Sequence, residues 1–443
     1  MRTGIMAAGL MVWASVSASA GGAMEADIQQ WQTNNGAKVL FVARHELPIV
    51  DVQMAFDAGS ARDGDSAGLA RLTNHLLLDG TSALDAGEIA RQFERYGARV
   101  STNSGRDTAE VSLRALSEAA RLDPVITNLA DALADARFPT DAVERVRQQM
   151  RLGLEQAQSS PSDLAERAFA QGIYGDHPYA SPPSGTLDSV PQLEREAVVA
   201  FHQRHYTASN ATIAIVGDLE ASRAKAIAEQ LSSKLPTGKA LPELPEVRLP
   251  TSAQTIRVPF QAEQTHVLIG QPSVRRGDET YYPLYMANHM LGGSGLTSIL
   301  AERMREERGL SYSSGSRITT GARRGRFQMS TQVRNDALAE ALDVMRGSFV
   351  ELRDEGPNAE RLEASRRNIT GSFPLQLDSN RDLLGYVSSI GFHNLPHDYL
   401  AQFIARIEAM QATQVTGALN AQLNPAQMIT VLVGPEATIN AVD

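Results

Sequence analysis

The chain has 443 residues, of which 42% are hydrophobic and 21% charged; this composition excludes a disordered protein and allows more than one domain. Its formal net charge of -10 provides no basic footprint of the kind that binds nucleic acid or anionic lipid. The absence of cysteine excludes disulfides, thiolate metal ligands and a cysteine nucleophile.

The N-terminus has the layout of a cleaved secretory signal. Arg2 precedes an apolar stretch at residues 5–16, and the small residues Ala18, Ser19 and Ala20 come directly before Gly21. An ordinary first helix would not need this small-residue ending, and the stretch is too short to span a bilayer. We therefore expect residues 1–20 to be removed and the mature protein to be periplasmic.

The rest of the chain reads as two similar halves, at about residues 27–219 and 253–435. Each half ends in an apolar run that is stopped by glycine, at residues 211–217 and 428–434, and such runs are typical of buried strands. The proline-rich stretch at residues 235–245 lacks helical periodicity. The pattern predicts an N-terminal domain at 27–225, a linker at 226–252 and a C-terminal domain at 253–443.

Within each half, predicted strands come first and amphipathic helices follow. This order favours an α+β fold of two homologous domains, each with an antiparallel-rich sheet packed with helices. The predicted elements of the first half are strands at 39–42 and 49–56, joined by a turn at 45–48, and helices at 69–78, 86–96, 123–136 and 140–158. Those of the second half are strands at 255–258 and 265–271 and helices at 281–291 and 296–308.

The segment at residues 68–81 has the sequence GLARLTNHLLLDGT. Its order of residues follows a recognisable motif, which is called the motif frame below. It resembles the inverzincin element of the pitrilysin and insulinase family, in which a His-x-x-Glu-His core lies between glycine and alanine on one side and Gly-Thr on the other. In this frame Arg71 stands where the first histidine belongs and Asn74 where the glutamate belongs. His75 alone is kept, and its plainest interpretation is a remnant of the frame or a packed imidazole.

The intact motif depends on a helical face that this chain has altered. Residues at i, i+3 and i+4 share one face, so two histidines bind Zn²⁺ while the glutamate acts as general base on the bound water. Arginine cannot be deprotonated to become a ligand, and asparagine has no useful basicity near neutral pH. One ligand and the base are therefore missing.

The resemblance also implies a third ligand, a glutamate on a helix about 75 residues further on. The alignment places Gly153 at this ligand and Val146 at its acidic neighbour, and neither side chain can hold or support a metal. A shifted alignment would bring Glu155 to the ligand position, but would not restore the missing histidine. We expect this chain to bind no zinc.

The second half keeps a different part of the family pattern. The segment at residues 291–312 resembles the C-terminal segment in which an arginine and a tyrosine, here Arg305 and Tyr312, reach the substrate backbone near the zinc. We expect a helix that ends in a left-handed cap at Gly309, a strand that begins near Leu310, and a flexible hinge at the glycine run 291–295. The alternative is that Arg305 forms a surface ion pair and Tyr312 fills the core.

The family includes two-subunit enzymes, such as the mitochondrial processing peptidase and bacterial heterodimers, in which one subunit carries zinc and the other contributes substrate-binding residues. The resemblance implies that this chain is the second kind of subunit, that its domains form a clam shape, and that Zn²⁺ is bound by a homologous partner with the intact motif. Two alternatives remain open. They are a structural subunit like the core proteins of respiratory cytochrome complexes, and an autonomous peptide-binding protein.

Overall fold

The computed structural model describes residues 27–442, and within them the first half forms a six-stranded sheet. The strands are β1 (Gln29–Gln32), β2 (Lys38–Ala43), β3 (Ile49–Phe56), β4 (Arg99–Ser104), β5 (Ala109–Leu116) and β6 (Ala211–Gly217). Their order in the sheet is β1-β2-β6-β3-β5-β4, with β2 and β6 parallel and the other neighbours antiparallel. The predicted signal at residues 1–20 lies outside the described residues.

The second half forms a five-stranded sheet that repeats this topology. Its strands are β7 (Gln254–Pro259), β8 (Gln264–Pro272), β9 (Ser314–Ile318), β10 (Arg326–Arg334) and β11 (Ile429–Gly434). Their order is β7-β11-β8-β10-β9, with β7 and β11 parallel and the other neighbours antiparallel. This is the order of the first sheet without β1, so the prediction of two homologous α+β domains is confirmed.

Helices cover both sheets. Those of the first half are α1 (Leu69–His75), α2 (Ala86–Glu94), α3 (Ala119–Ala134), α4 (Thr140–Ala157), α5 (Pro161–Tyr174), α6 (Arg195–His205) and α7 (Ala221–Ser233). Those of the second half are α8 (Tyr281–Asn288), α9 (Ile299–Ala301), α10 (Leu338–Asp354), α11 (Ala359–Ser372), α12 (Asn380–Phe392), α13 (Tyr399–Glu408), α14 (Ala412–Gln422) and α15 (Glu436–Ile439). No helix within residues 27–442 has the length and apolar character needed to cross a membrane.

The predicted helices of the second half differ most from the structure. The helix predicted at 281–291 is α-helical only to Asn288 and continues as a π-helix at His289–Gly293. The helix predicted at 296–308 breaks into a 3₁₀ turn, the short α9 and a π-helix at Glu302–Glu306. The following strand begins at Ser314, not near Leu310. Apolar periodicity marks the buried face of such a segment, but it does not distinguish α from π winding.

The glycine run and the linker also differ from expectation. A Cβ on Gly292 would lie 2.1 Å from the backbone nitrogen of Ser316, so the predicted hinge is a close contact between two backbone segments. The predicted linker start at 226 falls inside α7, and the stretch without helix or strand runs from 234 to 253. Within this stretch, the carbonyl of Pro245 contacts the ring nitrogen Nε2 of His177 at 2.9 Å.

The central strands β6 and β11 are buried along their whole length, because both faces of each sheet are covered. Alternate residues of β2 lie in different cores. Val39 and Phe41 pack with the helices of the first half, whereas Leu40 and Val42 pack with residues of the second half. Each sheet therefore has one face in its own domain and one face against the other domain.

The two halves achieve this by exchanging helices. Helix α5 of the first half packs against β11, β8 and β7, and α12 of the second half packs against β6, β3 and β2. Each exchanged helix has a glycine near its C-terminal end, at a close contact with the sheet of the other half. A Cβ on Gly172 would lie 2.6 Å from Cδ1 of Ile256, and a Cβ on Gly391 would lie 2.4 Å from Cδ1 of Leu40.

Candidate functional site

Helix α1, which carries the altered motif, begins at a sharp turn. Gly68 has φ +95°, a conformation that favours glycine, and its neighbour Gly185 leaves little space for a side chain there. The carboxylate of Asp63 accepts hydrogen bonds from the backbone N–H groups of Gly68 at 2.8 Å and Ala70 at 2.7 Å. These bonds satisfy donors at the helix start and fix the direction in which α1 presents its side chains.

Three of the predicted motif positions line one cavity of about 580 Å³. Arg71 and His75 reach it from α1, and Gly153 reaches it from α4. A Cβ on Gly153 would meet no atom within 4 Å, so the missing side chain leaves open space. On the same helix Val146 is 3% exposed and lies in the hydrophobic core, where it offers no polar atom to a metal ligand.

Asn74 does not share this cavity, which corrects the expectation that the three positions of α1 present one face. Its side chain is completely buried, and Nδ2 donates to the carbonyl of Glu110 at 3.3 Å and to Oη of Tyr206 at 3.4 Å. Its Oδ1 accepts no hydrogen bond from the part of the chain that the structure describes. The amide at the position of the general base is therefore a core group.

The residues present do not fit the zinc ion that the resemblance implies for an intact site. Across residues 27–442 no three histidine, aspartate or glutamate side chains lie close enough together to hold a metal ion. Glu155, the ligand of the shifted alignment, forms an ion pair with Arg151 at 2.7 Å and does not line the cavity. His75 is the one imidazole in the cavity wall, and three protein ligands are the usual minimum for catalytic zinc.

Positive charge dominates the cavity wall, which contains four arginines and two carboxylates. Arg326, from β10 of the second half, pairs with Glu166 at 2.6 Å. Nη1 of Arg71 donates to Oγ of Ser184 at 2.6 Å.

The guanidinium of Arg106 lies 5.3 Å from the ring centroids of both Tyr174 and Tyr179. Cation–π contacts of this kind attract a guanidinium to the ring face and help to fix its position.

The surroundings of His75 lower the pKa of its imidazole. Burial of its ring lowers the pKa, and the adjacent positive charge of Arg71 lowers it further, while Asp79 opposes the shift.

Arg305 and Tyr312 lie outside the wall of this cavity. The guanidinium of Arg305 is 4.6 Å from the ring centroid of Tyr312, and the tyrosine is 82% exposed. Gly309 has φ +62°, and its N–H bonds the carbonyl of Arg305, so the predicted left-handed cap is present. The alternative was a tyrosine in the core and an arginine in a surface ion pair. The structure differs from it, because Tyr312 is exposed and Arg305 has no carboxylate within 4.0 Å among residues 27–442.

Several cavity residues were not found from the sequence. Arg106 lies on the turn between β4 and β5, Arg167 lies on α5, and Ser184 follows two prolines. None belongs to the motif frame, and no spacing signal connects them. The periodicity of α5, with Ala165, Phe169 and Ile173 buried, identifies its core face but not the cavity beside it.

Two family models match the chain. The model of the insulinase family, peptidase family M16, matches residues 38–187, and the model described as the peptidase M16 inactive domain matches residues 192–369. The first match lies within the first half of the repeat, and the second begins before β6 in the first half and extends into the second half.

Similar proteins come from several bacteria. A crystal structure of a peptidase M16 inactive domain from Pseudomonas fluorescens is 36% identical, with a TM-score of 0.89, and the match covers 92% of this chain and 98% of that chain. The uncharacterized zinc protease YmxG of Bacillus subtilis is 23% identical over 93% of this chain and 99% of its own length. The protein named non-peptidase homolog YmxG of Helicobacter pylori is 24% identical over 90% of this chain and 92% of its own length.

Proposed function

The chain belongs to the insulinase family, peptidase family M16, and we propose that it is the non-catalytic, substrate-binding subunit of a heterodimeric periplasmic zinc peptidase that acts on peptides. One observation carries this proposal. The cavity at the position of the family's metal site is lined by the guanidinium of Arg71 and by the bare backbone of Gly153, where a histidine and a glutamate would be needed to hold zinc.

The C-terminal segment supports a role beside an active partner. Tyr312 is a large side chain that is 82% exposed, and Arg305 packs on its ring with no competing ion pair among the described residues. An exposed aromatic group with a stacked arginine suits contact with a peptide or a second protein, because these two residue types dominate binding energies at interfaces. A purely structural subunit needs neither group in this position.

Export is the remaining part of the proposal and depends on the N-terminal sequence. N-terminal sequencing of the protein recovered from the periplasm should give a chain that begins at Gly21. Recovery of the intact N-terminus from the cytoplasm alone would contradict export.

Reconstitution tests the subunit role. The purified chain is mixed with a homologue that carries the intact His-x-x-Glu-His helix, and cleavage of an unfolded peptide is followed. We expect cleavage by the mixture and none by this chain alone. Tyr312→Phe should lower kcat by about 100-fold if its hydroxyl donates to the scissile carbonyl, and Arg305→Ala should raise KM by about 10-fold.

Arg308→Ala is the matched control, because Arg308 lies in the same segment but pairs with Glu307 and Glu340. It should leave both constants unchanged. Equal activity of all four mixtures would remove Arg305 and Tyr312 from the substrate site, and an inactive mixture with every such homologue would favour a structural or autonomous peptide-binding protein.

A further inference from the structure

We infer that the cavity lined by Arg71, His75 and Gly153 binds the C-terminal carboxylate of a peptide whose last side chain is apolar. The inference takes from the proposed function only that the ligand is a peptide. It adds a recognition site on this chain that is independent of Arg305, Tyr312 and any partner.

Charge is the first argument. Arg71, Arg106 and Arg167 line the cavity, and within residues 27–442 none of the three has a carboxylate within 4.0 Å. Arg326 is neutralised by Glu166, and Asp163 is the remaining carboxylate of the wall. A surplus of guanidinium groups in a half-enclosed cavity attracts an anion, and the contrast is strong in a chain with a net charge of -10.

Hydrogen-bond geometry is the second argument. Arg71 uses Nη1 for Ser184, which fixes the guanidinium and leaves its other donors for a ligand. A planar guanidinium matches the two oxygens of a carboxylate, and it remains charged at every physiological pH. Arg71 therefore places a permanent positive charge beside the position where an intact family member would hold its metal.

The shape and polarity of the wall identify the rest of the ligand. Met150, Leu154, Ala170, Ala180 and the prolines at 182 and 183 contribute apolar groups to the wall of the cavity. Gly153 leaves open space at the wall, since no atom lies within 4 Å of its Cβ position. A volume of about 580 Å³ lies within the range of cavities that hold small organic ligands. An inorganic anion would leave these apolar groups without a partner.

Calorimetry on the isolated chain tests the inference with an N-acetylated tripeptide that ends in leucine and with the same peptide as its C-terminal amide. We expect the acid to bind at least about 10-fold more tightly than the amide, because a charge-assisted hydrogen bond is lost in the amide. Arg71→Met and Arg167→Met should each weaken binding of the acid by about 10-fold and leave the amide unaffected. Raising the salt concentration should weaken binding of the peptide acid and leave binding of the amide unchanged.

Arg151→Met is the control, because Arg151 lies on α4 beside Gly153 but pairs with Glu155 outside the cavity. It should bind both peptides as the wild-type chain does. Equal affinity for acid and amide, no binding of either, or tight binding of inorganic phosphate in place of the peptide would overturn the inference. If Arg71→Met fails to fold, Arg167→Met and the comparison of acid with amide still decide it.

The outcome is separable from the subunit role. If the chain shows no preference for the acid but activates a zinc-bearing homologue, the carboxylate site is rejected and the proposed function stands. If the chain prefers the acid but activates no homologue, the carboxylate site stands and the chain is an autonomous peptide-binding protein.

Discussion

Arg71 and Gly153 change the sign of the ligand charge that the cavity favours. Arg71 adds a permanent cation where a neutral imidazole would bind metal, and Gly153 removes the position of a carboxylate. An intact site of two histidines and a glutamate attracts a dication. The arginines around the same volume in this chain disfavour a dication and favour an anion, so the expected absence of zinc and the inferred binding of a carboxylate have one electrostatic cause.

Restoring both residues should restore metal binding. Arg71→His with Gly153→Glu would place two imidazoles and a carboxylate in one cavity, and the open space at Gly153 can accommodate the new side chain. We expect about one zinc per chain by elemental analysis, with an affinity roughly 10 to 100-fold below that of a complete site because Val146 supplies no polar support. Arg71→His with Gly153→Gln is the control and should bind far less, since an amide is a poor zinc ligand.

No peptidase activity should accompany this zinc, because Asn74 remains a buried amide without basicity. Absence of zinc in the doubly substituted chain would mean that the three positions do not form the remnant of a metal site. The family resemblance implied the shared location of Arg71, His75 and Gly153. It did not predict that Asn74 turns into the core, because the contact with Tyr206 joins residues 132 positions apart.

At the level of elements, the exchange of α5 and α12 determines how the domains are joined. The internal repeat in the sequence predicted two homologous domains, and the mainly apolar runs that form β6 and β11 were predicted to be buried strands. The sequence did not indicate which helix covers which face. Periodicity shows that α5 has an apolar stripe, but a stripe fits the sheet of either half equally well.

The glycines of the exchanged helices give a test of this packing. Gly172→Val and Gly391→Val should each destabilise the folded chain by about 1–3 kcal/mol, because the added atoms would overlap Ile256 and Leu40 on the opposite sheets. Urea unfolding measures the free energy. Gly385 lies on the same helix, α12, but has no atom within 4 Å of its Cβ position. As the control, Gly385→Ala should stabilise the folded chain by about 0.4–1 kcal/mol. Tolerance of both valines would show that the helices do not approach these sheets closely.

At the scale of the whole molecule, the chain combines a disabled metal position with an exposed tyrosine and the partly buried arginine that stacks on it in the second half. The sheets that carry these regions are locked together by α5 and α12, so the distance between the cavity and the Arg305–Tyr312 segment is set by the fold. This arrangement suits a subunit that holds peptide while a homologous partner performs the cleavage.

Metal analysis of the isolated wild-type chain, combined with a peptidase assay, tests the central claim most directly. The protein is loaded with excess zinc, freed of unbound metal by gel filtration, and assayed for cleavage with and without a chelator. The account predicts far less than one zinc per chain and no cleavage in either condition. One zinc per chain bound at His75, with cleavage that the chelator abolishes, would contradict it.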